Sequence, residues 1–459
     1  MKQILLETDN SSSIFLYEQL YLNIKNQILS GDMLAGEKCP SVRSLSANLS
    51  VSVTTVMQAY NQLLAEGYIS SKPGSGYYVE RVIAHNTSYG NTSSTYNADE
   101  QLSAEVAPYI NDNEIFDFNK WKKCSNRIFT EYSDSLLFES DIKGEYSLRL
   151  EISKYLRQSR GVNAKPENII ISAGTQQIAF HLGRILKKDQ VNIIALESPG
   201  YSPVKSMFTD AAFNTIDIPV TKAGIDIDML PSNLKSAVYV NPSNQFPTGV
   251  VMPAGKRYEI LNWAYKNNCY VIEDDYNSEL RYFGQPLPPI KSLDTNDRVI
   301  YLGSFSSTLF SAIKISYMVL TDNLTKVFDN MKENYTQTCS KAEQLTLALF
   351  MKEGYYYTAI KKKRTLYTKK LQESINAFSK YGKDKIKLTN TKSGLTLTLM
   401  VDTNKTPDEL IQSAKEIGIR AYYINELSSK NKAAISLYYS NIPAKEINQK
   451  IKELCTLWK

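Results

Sequence analysis

Three short amphipathic stretches closed by a hairpin signal, followed by a long region of apolar strand runs alternating with helical ones, predict an α/β chain in two parts. The first is a winged helix-turn-helix and the second a larger domain on a mostly parallel central sheet with flanking helices. The 459 residues are 42% hydrophobic and 22% charged, globular values with room for about three domains. No apolar run is long enough to span a membrane, and no basic start leads into an apolar core with a cleavage site. The expected compartment is therefore the cytoplasm, with no membrane partner. Cys39, Cys124, Cys269, Cys339 and Cys455 lie far apart without CxxC spacing, and the histidines are His85 and His181, so neither a disulfide framework nor a metal site is expected.

In the first part, Tyr17, Leu20, Tyr21, Ile24 and Ile28 recur at three- and four-residue spacing, the stripe of a helix packed on one face. "SGDMLAGEKCP" breaks that helix. Ser41 is placed to cap a second one carrying Val42, Leu45 and Leu49, and Ser52 a third with Val56, Ala59, Tyr60, Leu63 and Leu64 inward. Gly67 ends it, and "YIS" and "YYVE" flank the tight tip "SKPGSG" as a hairpin. These elements define a domain over residues 1–81.

Residues 82–115 replace periodicity with Ser, Thr, Asn and Gly and read as a flexible linker. Beyond it, "NIII", "VNIIALE", "SAVYVN", "CYVIED" and "RVIYLGSF" are continuous apolar strands separated by helices, which implies a parallel sheet covered on both faces over 116–333. The stretch 334–459 reads as helical and then α+β, with "GLTLTLMV" and "AAISLYYS" as strands. The net charge is +6, yet residues through Arg81 carry six Lys/Arg against seven Asp/Glu, a net of −1. A global basic footprint therefore does not argue for nucleic acid.

Residues 15–80, through "LYEQLYLNIKNQILSGDMLAGEKCPSVRSLSANLSVSVTTVMQAYNQLLAEGYI" and the wing "SKPGSGYYV", resemble the GntR family of bacterial transcription regulators. The resemblance implies binding to double-stranded DNA, with the third helix in the major groove. Ser52, Thr54 and Thr55 then approach phosphates and base edges from its first turn. Arg43, Lys72, Gly74 and Ser75 supply contacts from the second helix and the wing. Each has a plainer reading: Ser52 as a cap, Arg43 on a solvated face. Val53 and Met57 stand where several members carry arginines, so arginine readout of bases is reduced and two half-sites read by a homodimer are expected.

From about residue 116 onward the chain resembles fold-type I aminotransferases, and as a whole the MocR subgroup of GntR regulators, in which that fold senses a ligand. The motifs are "GEYSLRLEISKYLRQSRG", "IIISAGTQQIAF", "LESPGYSPV", "VNPSNQFPTG", "VIEDDYNSELRY" and "VIYLGSFSSTLFSAIKISYMVL". The resemblance implies a pyridoxal 5'-phosphate pocket. Gly174, Thr175 and Gln176 open a helix and offer amides to phosphate, and Tyr201 stacks on the ring. Asn244 or Gln245 donates to the ring hydroxyl, Tyr276 reaches the same oxygen, and Asp274 or Asp275 faces the pyridine nitrogen, a one-residue register reversing the choice. Ser304 and Ser306 complete the wall.

The family's Schiff-base lysine belongs directly after "YLGSFS", where this chain has Ser307, and the phosphate-binding arginine seven residues on is Lys314. A hydroxyl forms no imine and shuttles no transamination proton. Lys314, a point charge, also has to balance phosphate and is a poor substitute. No arginine precedes the last strand run, "KNKAAISLYYS". The expectation is a regulator with a degenerate pocket that is not an enzyme, pyridoxal phosphate being held without a covalent bond or absent and the small-molecule effector unidentified. The alternative is a pyridoxal-dependent enzyme fused to a DNA reader. Finally, "IKKKRTLYTKK" is either a solvated helix face or a second DNA-contact surface.

Overall fold

The computed structural model describes residues 15–82, 116–282, 287–389, 391, 394–429 and 431–458, and contacts divide the chain into two compact units, Met1–Ser103 and Ala104–Lys459. The expected linker, apart from Val82, lies outside the described residues.

The smaller unit holds α1 (Leu16–Leu29), α2 (Val42–Leu49), α3 (Val53–Ala65) and an antiparallel hairpin of β1 (Ile69–Lys72) and β2 (Gly76–Val79). Both predicted caps form. Ser41 Oγ accepts the Ser44 amide at 3.1 Å and Ser52 Oγ the Thr55 amide at 3.0 Å, each satisfying one of the orphan donors of a helix start. Leu20, Ile24, Leu45, Val56, Ala59, Tyr60 and Leu63 make the core. Tyr60 donates its hydroxyl to Pro40 O at 2.9 Å, tying α3 to the turn before α2. Leu64 was expected inward but is 39% exposed, because the next residue after Leu63 lies about 100° around the helix.

The larger unit is built on an eight-stranded sheet. Its strands are β3 (Ile169–Ser172), β4 (Ile193–Ser198), β5 (Asn214–Thr221), β6 (Gly224–Ile225), β7 (Ser236–Val240), β8 (Tyr270–Asp274), β9 (Val299–Ser304) and β10 (Ser316–Val319), in the order β3-β10-β9-β8-β7-β4-β5-β6. The run from β9 to β5 is parallel, and β10 is antiparallel to both of its neighbours. Ile169, Ile171, Tyr301, Tyr317 and Val319 enter one core, whereas Ile170, Ile300, Leu302 and Met318 enter another, the two-residue alternation of a sheet covered on both faces.

The segment after Asn334 is divided between cores. Leu347, Phe350 and Tyr356 close the sheet's first core, while from Leu371 on a separate cluster forms with Phe378, Leu399, Val401, Ile435 and Ile451. That second cluster backs a four-stranded antiparallel sheet of β11 (Ile386–Leu388), β12 (Leu397–Asp402), β13 (Ala421–Tyr423) and β14 (Lys432–Leu437). The 27-residue helix Tyr355–Tyr381 runs from one core to the other. No helix among the described residues is long and apolar enough to cross a membrane.

Candidate functional site

In the smaller unit, Ser52, Val53, Thr54, Met57 and Gln58 form the exposed face at the start of α3, and Arg43 is exposed on α2. Ser52 spends its hydroxyl locally, 2.8 Å from that of Thr55 as well as on the Thr55 amide, so Thr54 is the first-turn hydroxyl left for a guest. At the wing, Lys72 Nζ lies 4.4 Å from the centre of the Tyr78 ring and Ser75 is 2.6 Å from the Tyr78 hydroxyl. Gly74 takes φ +73°, a left-handed conformation that the tip requires and glycine adopts without strain.

In the larger unit, the carboxyl ends of β3, β4, β7, β8 and β9 open on one cavity of about 840 Å³. Ligands in open α/β sheets bind at this edge because the loops that follow the strands converge there. Thr175, Tyr201, Asp274, Tyr276, Ser304, Ser306, Ser307 and Lys314 all line it. Gly174 and Gln176 stand just outside the lining. Gly174, at φ +85°, makes the turn from β3 into the helix Gly174–Lys188, and Gln176 is exposed.

Neither Asn244 nor Gln245 faces the cavity; Asn241 does. Asn244 hydrogen-bonds Tyr276 and packs so closely on Gly394, which has φ +80°, that an added Cβ there would lie 2.4 Å from its Nδ2. Gln245 accepts from the Thr248 hydroxyl at 2.6 Å and donates to Pro199 O at 2.8 Å, which fixes the turn rather than a guest.

The acidic pair is resolved by its partners. Asp274 lines the cavity, accepts from the Tyr239 hydroxyl and from the Tyr276 amide at 3.3 Å, and is pushed by burial up to about 6. Asp275 turns the other way. It pairs with Arg160 at 2.7 Å and accepts from Ser243 and Tyr301, each at 2.5 Å.

Ser307 is in the cavity wall with its Oγ buried and without a hydrogen-bond partner. Directly behind it is Lys363, from the helix Tyr355–Tyr381. This residue is 7% exposed, and its Nζ donates to Ser307 O at 2.7 Å and Leu309 O at 3.0 Å. Burial pushes the amine down to about 8. The expected solvated basic face is thus corrected at Lys363, which points inward, while Lys361, Lys362 and Arg364 are exposed. Arg364 Nε donates to Glu279 O at 3.0 Å, so neighbouring residues of one helix hold two loops beside the cavity.

Sequence reasoning missed Arg420. It precedes β13, lines the cavity and sits against the rings of Tyr422 and Tyr438 at 5.1 and 4.9 Å. No sequence signal near the last strand run points to it, because the folding of the small sheet brings it in. Glu197 was also missed. Burial pushes its carboxyl up to about 8, and it carries the Asn241 and Gln245 side of the turn.

The residues 16–79 match the model of bacterial regulatory proteins of the gntR family, and 107–433 that of aminotransferase class I and II. Among curated relatives, the HTH-type transcriptional regulator YdeL of Bacillus subtilis is 36% identical over 97% of both chains. The pyridoxine biosynthesis transcriptional regulator PdxR of Corynebacterium glutamicum is 32% identical over 76% of both, and the probable rhizopine catabolism regulatory protein MocR of Rhizobium meliloti 29% over 90% of this chain and 87% of its own. Among solved structures, a kynurenine aminotransferase of Pyrococcus horikoshii superposes with TM-score 0.66 at 24% identity, covering 76% of this chain and 89% of its own. A multiple substrate aminotransferase of Thermococcus profundus gives 0.67 at 23%, covering 80% and 95%; these two show the fold. With a winged helix joined to an aminotransferase-like domain along nearly its whole length, the chain belongs to the GntR family in its MocR-like branch and is a DNA-binding transcriptional regulator.

Proposed function

We propose that the larger unit senses an effector of the pyridoxal 5'-phosphate class held without a covalent bond, and that the protein switches transcription rather than transaminating. The observation that carries this is Ser307, whose unpartnered Oγ occupies the wall where an anchoring amine is required. The other residues fit such a group. Thr175, Ser304, Ser306, Ser311 and Lys314 gather hydroxyls and an ammonium beside a helix amino terminus, which suits a phosphate. Asp274 offers a buried carboxyl to a ring nitrogen, and Tyr201 and Tyr276 supply aromatic surface.

When bound, the cofactor supplies an electron sink, and that chemistry needs an amine able to reach its aldehyde. Lys363 is held to two backbone carbonyls behind the loop, and Lys314 lies on the phosphate side. Relatives named for pyridoxine biosynthesis and rhizopine catabolism support an effector from small-molecule metabolism. A homodimer completes the reading. Phe129, Tyr132, Leu137 and Phe138 are exposed in one stretch of the chain, Leu137 by 82%, an apolar surface of the kind a second copy covers.

Pyridoxal phosphate added to the purified protein should raise its melting temperature and change its affinity for operator DNA, with no visible band of a lysine-bound cofactor and no mass added after borohydride. A stoichiometric reduced adduct on any lysine, or amino-acid turnover with a keto acid, overturns the reading.

A further inference from the structure

We propose that a side cavity against Glu197 is a second subsite, one that takes a primary ammonium group of the effector; this rests on the larger pocket being the effector site. The side cavity measures about 210 Å³ and shares Tyr201, Asn241 and Glu426 with the larger pocket, so one ligand can reach both. Glu197 lines it and is 5% exposed. Its Oε2 accepts the Asn241 amide at 3.1 Å and Gln245 Nε2 at 3.3 Å, whereas its buried Oε1 has no partner. A buried carboxyl oxygen left unpaired is costly, and such atoms are rare in folded proteins.

Donors around the carboxyl have acceptors of their own. The Tyr239 hydroxyl and Asn241 Nδ2 go to Asp274, and Gln245 Nε2 also donates to Pro199 O. Once ionised, Glu197 offers Oε1 as an unpaired acceptor, so a guest that binds this form has to donate. The surrounding charge selects a cation: the carboxyls of Glu197, Asp217 and Glu426 face one ammonium, Lys205, which is already paired with Asp217 at 2.6 Å. One unpartnered oxygen suits the point charge of an ammonium better than the bidentate fork of a guanidinium.

Proton linkage follows. Burial pushes Glu197 up to about 8, with Asp274 adding to the shift, and the Tyr239 and Tyr276 hydroxyls facing it stay protonated because burial raises them well above their ordinary value. Lys205, Asp217 and Glu426 are the other charged groups at the cavity. An entering ammonium therefore expels the Glu197 proton. Its affinity rises by up to about tenfold per pH unit below 8 and levels off above it.

The test uses the full chain with n-propylammonium chloride as probe, against 1-propanol and sodium chloride at matched concentration. Melting temperature is followed from about pH 6.5 to pH 8.5, since a guest of the native state stabilises it by mass action. Propylammonium should stabilise, increasingly with pH, and propanol should not; E197Q should lose both the response and its pH dependence. Should E197Q fail to melt cooperatively, proton release by the wild-type protein on adding propylammonium in weak buffer decides instead. Equal shifts from propanol, a pH-independent response, or no proton release overturns the subsite. Pyridoxal phosphate is titrated in parallel. A response to it without one to propylammonium sinks the subsite alone, and the reverse sinks the effector class proposed above.

Discussion

Asp274 and Asp275 are adjacent in the chain and opposite in consequence, because successive residues at the end of a strand face opposite ways. Asp275→Asn leaves the Arg160 guanidinium buried without its charge partner, and removing one member of a buried pair costs about 3–5 kcal/mol, measurable by urea denaturation. Asp274→Asn keeps an acceptor for the Tyr239 hydroxyl and leaves stability nearly unchanged, while pyridoxal phosphate affinity falls. If instead Asp274→Asn melts the fold and Asp275→Asn spares it, the two roles are reversed. Lys363 gives a pH signature. Its amine is lowered to about 8 from 10.5, so between those values the unfolded chain holds a proton that the folded one has lost, and stability rises with pH through that window. Below pH 8 both states are charged and the folded state bears the full desolvation cost. Lys363→Met should therefore flatten the difference in unfolding free energy between pH 8 and pH 10; a parallel wild-type and mutant profile refutes this.

Elements were legible in proportion to how fully their own sequence carries their packing. β3, β4, β7, β8 and β9 announced themselves as unbroken apolar runs, whereas β10, just as buried but only four residues long and opened by Ser316, was not read as a strand, and neither was β5, where only Ile218 is buried. In the site, hydroxyls and carboxyls adjoining strand ends were readable because the strand ends were. The choice of Asn241 over Asn244 depends on the fold of a turn, and Arg420 on a distant sheet, so neither had a local signal. Lys363 did have one: Ile360, Lys363, Tyr367, Lys370 and Leu371 repeat at three and four residues, and all are buried, which places two lysines of the basic run on the inner stripe. At α3 the separation of cap from contact is testable. Ser52→Ala costs about 1 kcal/mol of the smaller unit's stability through the lost cap. Thr54→Ala leaves the melt alone and weakens DNA binding, and equal melting losses for both remove the distinction. Arg43→Ala and Lys72→Ala should each reduce the slope of log affinity against log salt by about 1.

At the scale of the molecule, the proposed homodimer lets a DNA reader whose basic and acidic side chains nearly balance gain affinity by doubling its contacts. Through Arg81 the six basic residues are outnumbered by seven acidic ones, so the expected salt dependence of one reader alone is shallow. Two linked readers add their free energies once the link has met the cost of bringing them together, and the second contact forms at a high effective concentration. The exposed Leu137 and Phe138 lie in the larger unit, outside the unit that carries α3, and on the proposed homodimer they belong to the surface a second copy covers. Leu137→Asp with Phe138→Asp should shift the sedimentation coefficient from dimer to monomer. It should also lower affinity for a two-half-site operator by about tenfold or more while leaving a single half-site unchanged. A dimer that persists in the double variant moves the interface to another surface, and a monomer that still holds the full operator with undiminished affinity removes the need for two readers.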